Sequence, residues 1–421
     1  MPDTSRATTG ELDLDAVSVA DEQAWRDGPP YELFAELRGR CPVHWSGQID
    51  QYPQEPGFWS VTTAEDVHEV SRDWQTYSSE LGGVTVFAEI LPLELARGMF
   101  IGMDPPKHDK VKALFQRGFT PKRIAEHEQR IREITVDVLD RLDGAERCDL
   151  VADVAQPVVS RVISSFMGLS PDEDAIWARI VNSTLAPDDP DLAPEGVEGV
   201  LEKDVPEIFE RCRKLIAERT ENPTDDLTSV LVHAEVEGEK LSETDIVMGF
   251  FLLMAAGNDS TKATYCSGMR ALMEDEEQRR LLLEDPSLVP DAVEESLRMF
   301  PAFAHFRRTT TREVELGGQT IPEGEKVVMW YVSSNRDEAR YEDPDRFDLR
   351  RKAEHQAFGA GGRHFCLGTA LARLELRILI EETLARYPRI AIDGRPEFVR
   401  SAFINQLKTL PVVLEGSPAA G

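Results

Sequence analysis

Three groups of residues in this 421-residue chain combine types and spacings that could do chemistry. The first is Phe358-Gly-Ala-Gly-Gly-Arg-His-Phe-Cys366-Leu-Gly368, which runs straight into a predicted helix from Thr369 to Arg386. A cysteine at a helix N-terminus faces unpaired N–H groups and the positive end of the dipole, and both stabilise a thiolate. The preceding glycines permit a tight turn whose backbone can approach a flat ligand closely. Such a sulfur suits the axial position on haem iron, where a thiolate pushes electron density towards O–O cleavage. Taken alone, the same residues also suit a buried structural cysteine among loop glycines. Zinc would need a partner pair at ligand spacing, which His364-x-Cys366 lacks.

The second group is Ala256-Gly257-Asn258-Asp259-Ser260-Thr261, at the end of the most apolar run in the chain. A carboxylate and two hydroxyls there are costly unless hydrogen-bonded or functional. Gly257 costs about 1 kcal/mol relative to alanine inside a helix. Small residues followed by acid and alcohol would open a groove beside a cofactor where dioxygen can sit. The same pattern also fits a helix that simply becomes amphipathic beyond residue 257. The third group is Glu295-Ser-Leu-Arg298, with Asn335-Arg-Asp337 and Pro344-Asp-Arg-Phe347 downstream. An isolated Glu–Arg pair three apart is worth only a few tenths of a kcal/mol, so its information lies in the order of the motifs.

The elements that must position these groups are mainly helical. The apolar run Ile246 to Gly257 falls short of the ~18 residues of a membrane span, so it predicts a buried helix. Ser242 fits its N-cap, Asp245 three residues on is a weaker version of a capping box, and the helix is expected to continue past Cys266. Being apolar on all sides, it should cross the middle of the molecule. Pro121 to Leu142 reads as one amphipathic helix, with Ile124, Ile131, Ile134, Val138 and Leu142 on its apolar face. Strand signals between Val314 and Val332, broken by Gly317-Gly318 and a Pro322-Glu-Gly turn, predict a small sheet. Leu185 to Pro194, rich in Pro and Asp, predicts a long exposed loop of the kind that acts as a lid. Residues 1–20 are expected to be a disordered acidic terminus, 21–415 a single domain, and 416–421 a flexible tail.

Composition narrows the function. With 47 Lys+Arg against 77 Asp+Glu the formal charge is −30, which argues against nucleic acid, because phosphate contacts need a basic surface. A chain 41% hydrophobic and 29% charged can build a large core. The five cysteines, Cys41, Cys148, Cys212, Cys266 and Cys366, form no close pairs and favour a reducing compartment. The N-terminal segment has neither a positive flank nor an apolar stretch, so no membrane anchor and a cytoplasmic location are expected.

Read in order, these motifs resemble the cytochrome P-450 superfamily of haem-thiolate monooxygenases, over nearly the whole chain from about Pro29 to Glu415. The resemblance implies a mainly α fold with small β-sheets, a helical triangular prism enclosing haem b. It makes Cys366 the proximal iron ligand, with Phe358, Gly362 and Gly368 shaping the cofactor loop. Asp259, Ser260 and Thr261 fall on the acid–alcohol segment that governs proton delivery to oxygen. Glu295, Arg298 and Arg346 would form a buried charge triad. His108, Lys112, Arg308 and His364 match haem-propionate donors.

Three departures carry meaning. Ser260 stands where threonine is usual, Lys112 where arginine is usual, and the Cys loop is one residue longer than the commonest spacing. The longer loop is similar to that of bacterial members oxidising steroid side chains, terpenoids, methyl-branched lipids or alkanes, and the stretch Val399 to Pro411 points the same way. The implied activity is hydroxylation of an unactivated C–H bond using dioxygen and electrons passed from NAD(P)H through a separate ferredoxin reductase and ferredoxin. A peroxide-driven peroxygenase and a non-catalytic haem sensor are the alternatives, and the acid–alcohol pair speaks against both. Phe87, Leu252, Ala255, Ala256, Phe303, Phe403 and Ile404 are expected to wall an apolar substrate pocket. Lys107, Lys110, Lys112, Arg117, Arg350, Arg351, Lys352 and Arg363 are expected to form a basic face for an acidic ferredoxin.

Overall fold

The computed structural model describes residues 13–14, 17–49, 52–87, 93–236, 238–352 and 354–414. Its axis is the helix Glu243–Glu274, which starts at the expected capping box: Ser242 accepts from the Asp245 N–H, and the Asp245 carboxylate accepts from the Ser242 N–H. Helices Gln156–Met167, Asp174–Leu185, Val289–Met299 and Thr369–Arg386 pack around it. Its glycines mark the closest crossings. A Cβ on Gly257 would lie 2.8 Å from Ile163 Cδ1, and one on Gly249 would lie 2.0 Å from Phe115 Cζ. A Cβ at Gly257 would press on the end of the Ile163 side chain, so close packing gives this glycine a reason. Leu150–Met167 is long and apolar enough to cross a membrane, with mean hydropathy 1.2, but 67% of it is buried inside the fold.

Beside the helices lies a five-stranded sheet made of β1 (Val43–Ser46), β2 (Phe58–Val61), β3 (Tyr77–Ser78), β4 (His305–Thr310) and, after a hairpin of β5 (Val314–Leu316) and β6 (Gln319–Ile321), β7 (Lys326–Trp330). The order is β1-β2-β7-β4-β3, with β2 and β7 parallel. The expected β-region is present but is one part of a sheet completed by strands more than 200 residues away. Register fixes function here: β4 pairs with β7 as Val327 opposite Arg308 and Met329 opposite Phe306. Side chains alternate along a strand, and Phe306 and Arg308 both line the central cavity.

Three local expectations change. Residues 17–20 are packed rather than disordered: Val19 and Ala20 are buried with Trp25, whose indole donates to Val19 O at 2.7 Å. The remaining terminal residues of that segment, apart from 13 and 14, and the tail 416–421 lie outside the described residues. The helix predicted over Pro121–Leu142 divides at His127 into Pro121–Glu126 and Glu128–Asp140. The 185–194 segment is anchored rather than simply exposed. Asp189 is fully buried, and its carboxylate accepts from Lys408 Nζ at 2.9 Å and from the Arg400 N–H at 3.1 Å.

His305 ties two such segments together as a neutral ring. Val86 N–H donates to Nε2 at 3.1 Å, and Nδ1 lies 2.9 Å from Ala402 O. Full burial lowers its pKa from the ordinary 6.5 to about 3. A histidine whose folded pKa is depressed destabilises the fold once the unfolded chain can take up the proton, so stability falls as pH drops from 6.5 towards 3. Denaturant midpoints measured across that range should decline more steeply for the wild type than for His305→Gln.

Candidate active site

The Cys loop closes on itself where the Cys366 N–H donates to Phe358 O at 2.9 Å. Gly359, Gly361 and Gly362 have φ of 93°, 91° and 82°, values that disfavour any side chain. A Cβ on Gly362 would also strike Ser71 O at 2.5 Å. Gly362 thus serves the turn, while Phe358, Gly359 and Gly368 form the cavity wall. Cys366 is open to solvent through the cavity, yet the loop packed around it pushes its thiol up by desolvation, opposed by the Gly368 N–H and by the charges of Lys112 and Arg373. Coordination to a metal removes such a proton outright.

Helix Lys107–Gln116 supplies His108 and Lys112 to the same cavity. The His108 and His364 rings lie 4.3 Å apart. His364 is held well below the usual histidine range by burial and by the nearby Arg308 charge, and it donates to Met103 O. Its Nε2 sits 3.2 Å from Ser79 Oγ. His108 Nδ1 contacts Asp109 at 2.9 Å, and its buried Nε2 has no partner. Arg308 is buried and its pKa is lowered by burial; one amino group donates to Arg307 O at 2.7 Å. Lys112, which lines the cavity, donates to the carbonyls of Arg363 and Phe365.

The polar end of the cavity faces an apolar one. Phe100, Ile101, Ile163, Leu252, Leu253, Ala256, Phe303 and Phe306 line it. Of the residues expected in this wall, Leu252, Ala256 and Phe303 are there, and four are not. Phe87 stacks on Tyr52 with centroids 4.2 Å apart, in the core on the other side of the sheet. Ala255 faces the helical core. Phe403 packs behind Phe303 and Phe306 at 5.2 and 5.7 Å, and Ile404 is bridged to the backbone of Phe303.

On the central helix Ser260 and Thr261 line the cavity, whereas Asp259 does not. The Ser260 hydroxyl donates back to Ala256 O at 2.6 Å. The buried Asp259 carboxylate instead accepts from Lys262 Nζ at 2.7 Å and from Asn258 Nδ2 at 3.2 Å. Lys262 also donates to Gln156 Oε1 and Asn182 Oδ1, each at 2.8 Å. Residues three apart share a helix face, so this pair was present in the sequence but went unread. Another missed residue is Glu375 in the Cys-loop helix: it lines the cavity, bonds to Thr261, and is pushed up to about 8 by burial.

Glu295 and Arg298 form a bidentate pair at 2.8 Å, almost wholly buried. The expected third member, Arg346, contributes only its carbonyl, which accepts from Arg298 at 3.2 Å. Its place is taken by Arg351, whose Nε lies 3.1 Å from Glu295 Oε1. Pro344 and Asp345 begin a turn that leaves the Arg346 side chain exposed, and the chain brings Arg351 back inwards. Arg351 is only 12% exposed and so leaves the basic face. Lys107, Lys110, Arg117 and Arg363 remain exposed; Arg363 of the loop is paired with Asp109 at 2.7 Å, whereas Arg117 reaches Glu235 O at 3.4 Å.

These residues fit haem. A lone sulfur projects into a cavity with an apolar side and a rim carrying Arg308 and the unpartnered His108 Nε2. Among the described residues no cluster of three His, Cys, Asp or Glu side chains is placed to hold a free metal ion. A cavity-facing cysteine, a cationic rim and the central helix are the features of a haem-thiolate protein. Comparison with known proteins agrees: the cytochrome P450 family model matches residues 196–397. Linalool 8-monooxygenase of Pseudomonas putida is 34% identical, covering 91% of this chain and 95% of its own. Methyl-branched lipid omega-hydroxylase of Mycobacterium bovis is 35% identical, covering 92% and 90%. A Mycobacterium marinum cytochrome P450 solved with pseudoionone has a TM-score of 0.89 at 34% identity, covering 96% of this chain and 100% of that one. The chain belongs to the cytochrome P450 family, is a monooxygenase of that family, and its cofactor is haem b.

Proposed function

We propose that this enzyme hydroxylates an unactivated C–H bond of a steroid, terpenoid or branched lipid in the cytoplasm, using electrons from a ferredoxin system. The observation that carries the substrate class is the apolar wall of Phe100, Ile101, Leu252, Leu253, Phe303 and Phe306. Burying apolar area there is worth about 25 cal/mol per Å², and this wall offers a small aromatic acid no charged partner. The terpenoid and branched-lipid names of the relatives support the same class.

Bound haem supplies the reductive activation of dioxygen and the insertion of one oxygen atom. The chain's own residues hold the cofactor through Cys366, orient substrate against the apolar wall, and manage protons through the central helix. Ser260 places a hydroxyl on the cavity surface, and Asp259 stands one residue away with access to the Lys262 amide network. Ser260→Ala should lower product formed per NAD(P)H and raise hydrogen peroxide. Asp259→Asn should slow turnover by roughly 100-fold, the low end for loss of a proton-transfer group. Both are read by product, cofactor and peroxide assays, and unchanged coupling in both variants would place the relay elsewhere.

For electrons, the exposed Lys107 and Lys110 lie on the helix whose Asp109 pairs with Arg363 of the Cys loop, and Arg117 follows at the end of that helix. A local basic patch steers an acidic partner within the Debye length of roughly 8 Å despite a repulsive net charge. One experiment tests substrate and donor together. Steroids, terpenoids, branched fatty acids and benzoates are screened by ferric difference spectra, and binders are turned over with ferredoxin and reductase or with peroxide. The proposal expects lipids to bind and ferredoxin to support turnover. Tight binding of benzoates alone overturns the substrate class, turnover with peroxide alone favours a peroxygenase, and binding without turnover favours a sensor.

A further inference from the structure

The Cys loop is splinted by one helix. Lys112, only 8% exposed, donates to Arg363 O at 2.5 Å and to Phe365 O at 2.8 Å. Those carbonyls flank His364, and the second belongs to the residue immediately before Cys366. From the same helix, Asp109 accepts from Arg363 Nη1 at 2.7 Å, and the His108 ring packs on that of His364. The Lys112 ammonium thus sits against the backbone of the residue next to the sulfur. An arginine presents a planar fork matched to carboxylates, whereas an ammonium is a compact charge with three donors. The ammonium suits converging backbone carbonyls, which is what Lys112 meets.

We propose that Lys112 is a positioning residue for the iron ligand, clamping the two loop carbonyls that set the Cys366 sulfur and placing a fixed positive charge beside it. This clamp uses two of the three ammonium donors and is separate from any contact the cavity-facing Lys112 makes to the cofactor. Without the clamp, the loop is freer to withdraw the sulfur from iron. Without the charge, the thiolate donates more strongly and the ferric state is favoured over the ferrous. Neither consequence depends on the substrate or on the electron donor.

The test uses the haem-loaded enzyme and its Lys112→Met, Lys112→Gln and Lys112→Arg variants. Three quantities are followed: persistence of the thiolate-type ferrous carbonyl spectrum, the ferric/ferrous reduction potential, and haem release to excess apomyoglobin. Lys112→Met should lose the thiolate-type spectrum at least ~10-fold faster, the scale of one hydrogen bond to a charged group, with a more negative potential. Lys112→Gln keeps a donor without the charge, so its potential should shift like that of Lys112→Met while its spectrum persists longer. Lys112→Arg should hold the wild-type potential. Should Lys112→Met fail to fold, Lys112→Gln is judged by its potential. Wild-type potential and persistence in the neutral variants overturn the proposal. So does faster haem release with unchanged persistence, which would return Lys112 to a propionate.

Discussion

Cys366→Ala should abolish the red-shifted Soret band of the ferrous carbonyl complex and reduce hydroxylation to background. Cys366 is the cysteine that lines the cavity. Cys212 and Cys266 are buried elsewhere, and burial raises both their thiols well above the ordinary range. Cys148 is pushed up to about 12 by burial, and Cys41 donates to Val43 O at 3.4 Å. None is placed to substitute. Haem uptake should survive in part, because the apolar wall and Arg308 remain. A thiolate-type carbonyl spectrum in the variant would remove Cys366 from the iron.

Glu295→Ala should be the most destabilising change away from the cofactor, at about 3–5 kcal/mol for a broken buried pair. Removing that carboxylate strands Arg298, which is completely buried, and deprives Arg351 Nε and the Asp348 N–H of their acceptor. Arg298 also donates to Asn335 O at 2.9 Å and Pro344 O at 2.8 Å, so the segment carrying the Cys loop loses its anchor. Arg346→Ala should fall within about 0.5 kcal/mol of wild type, as expected for an exposed side chain, because only its carbonyl is used. Chemical denaturation of the three proteins separates the assignments: a large loss for Arg346→Ala with none for Arg351→Ala would restore Arg346 to the network.

The fold was legible where local signals agree. The central helix shows its capping box and all-round apolarity, and the helix Thr369–Arg386 begins where Gly368 ends the Cys loop. The five-stranded sheet was legible only in part. β1 and β2 are four residues each, too short for an alternating pattern to stand out, and β2 pairs in parallel with a strand about 270 residues later. The aromatic wall misled for a related reason: Phe303 and Phe403 are equally apolar, and which of them meets the cavity depends on layers of packing.

By itself, the sequence presented the chemical groups: a cysteine on a glycine-rich turn, an acid and alcohol on a buried helix, and a Glu–Arg pair, because residue type and short spacing are local properties. Tertiary structure decided where those groups point. Asp259 turns to Lys262 rather than to the cavity, Arg351 rather than Arg346 completes the buried network, and Lys112 grips the Cys loop. Each choice is made by a buried charge seeking acceptors or donors that cannot be left unpaired, and those partners come from segments the chain brings together only on folding.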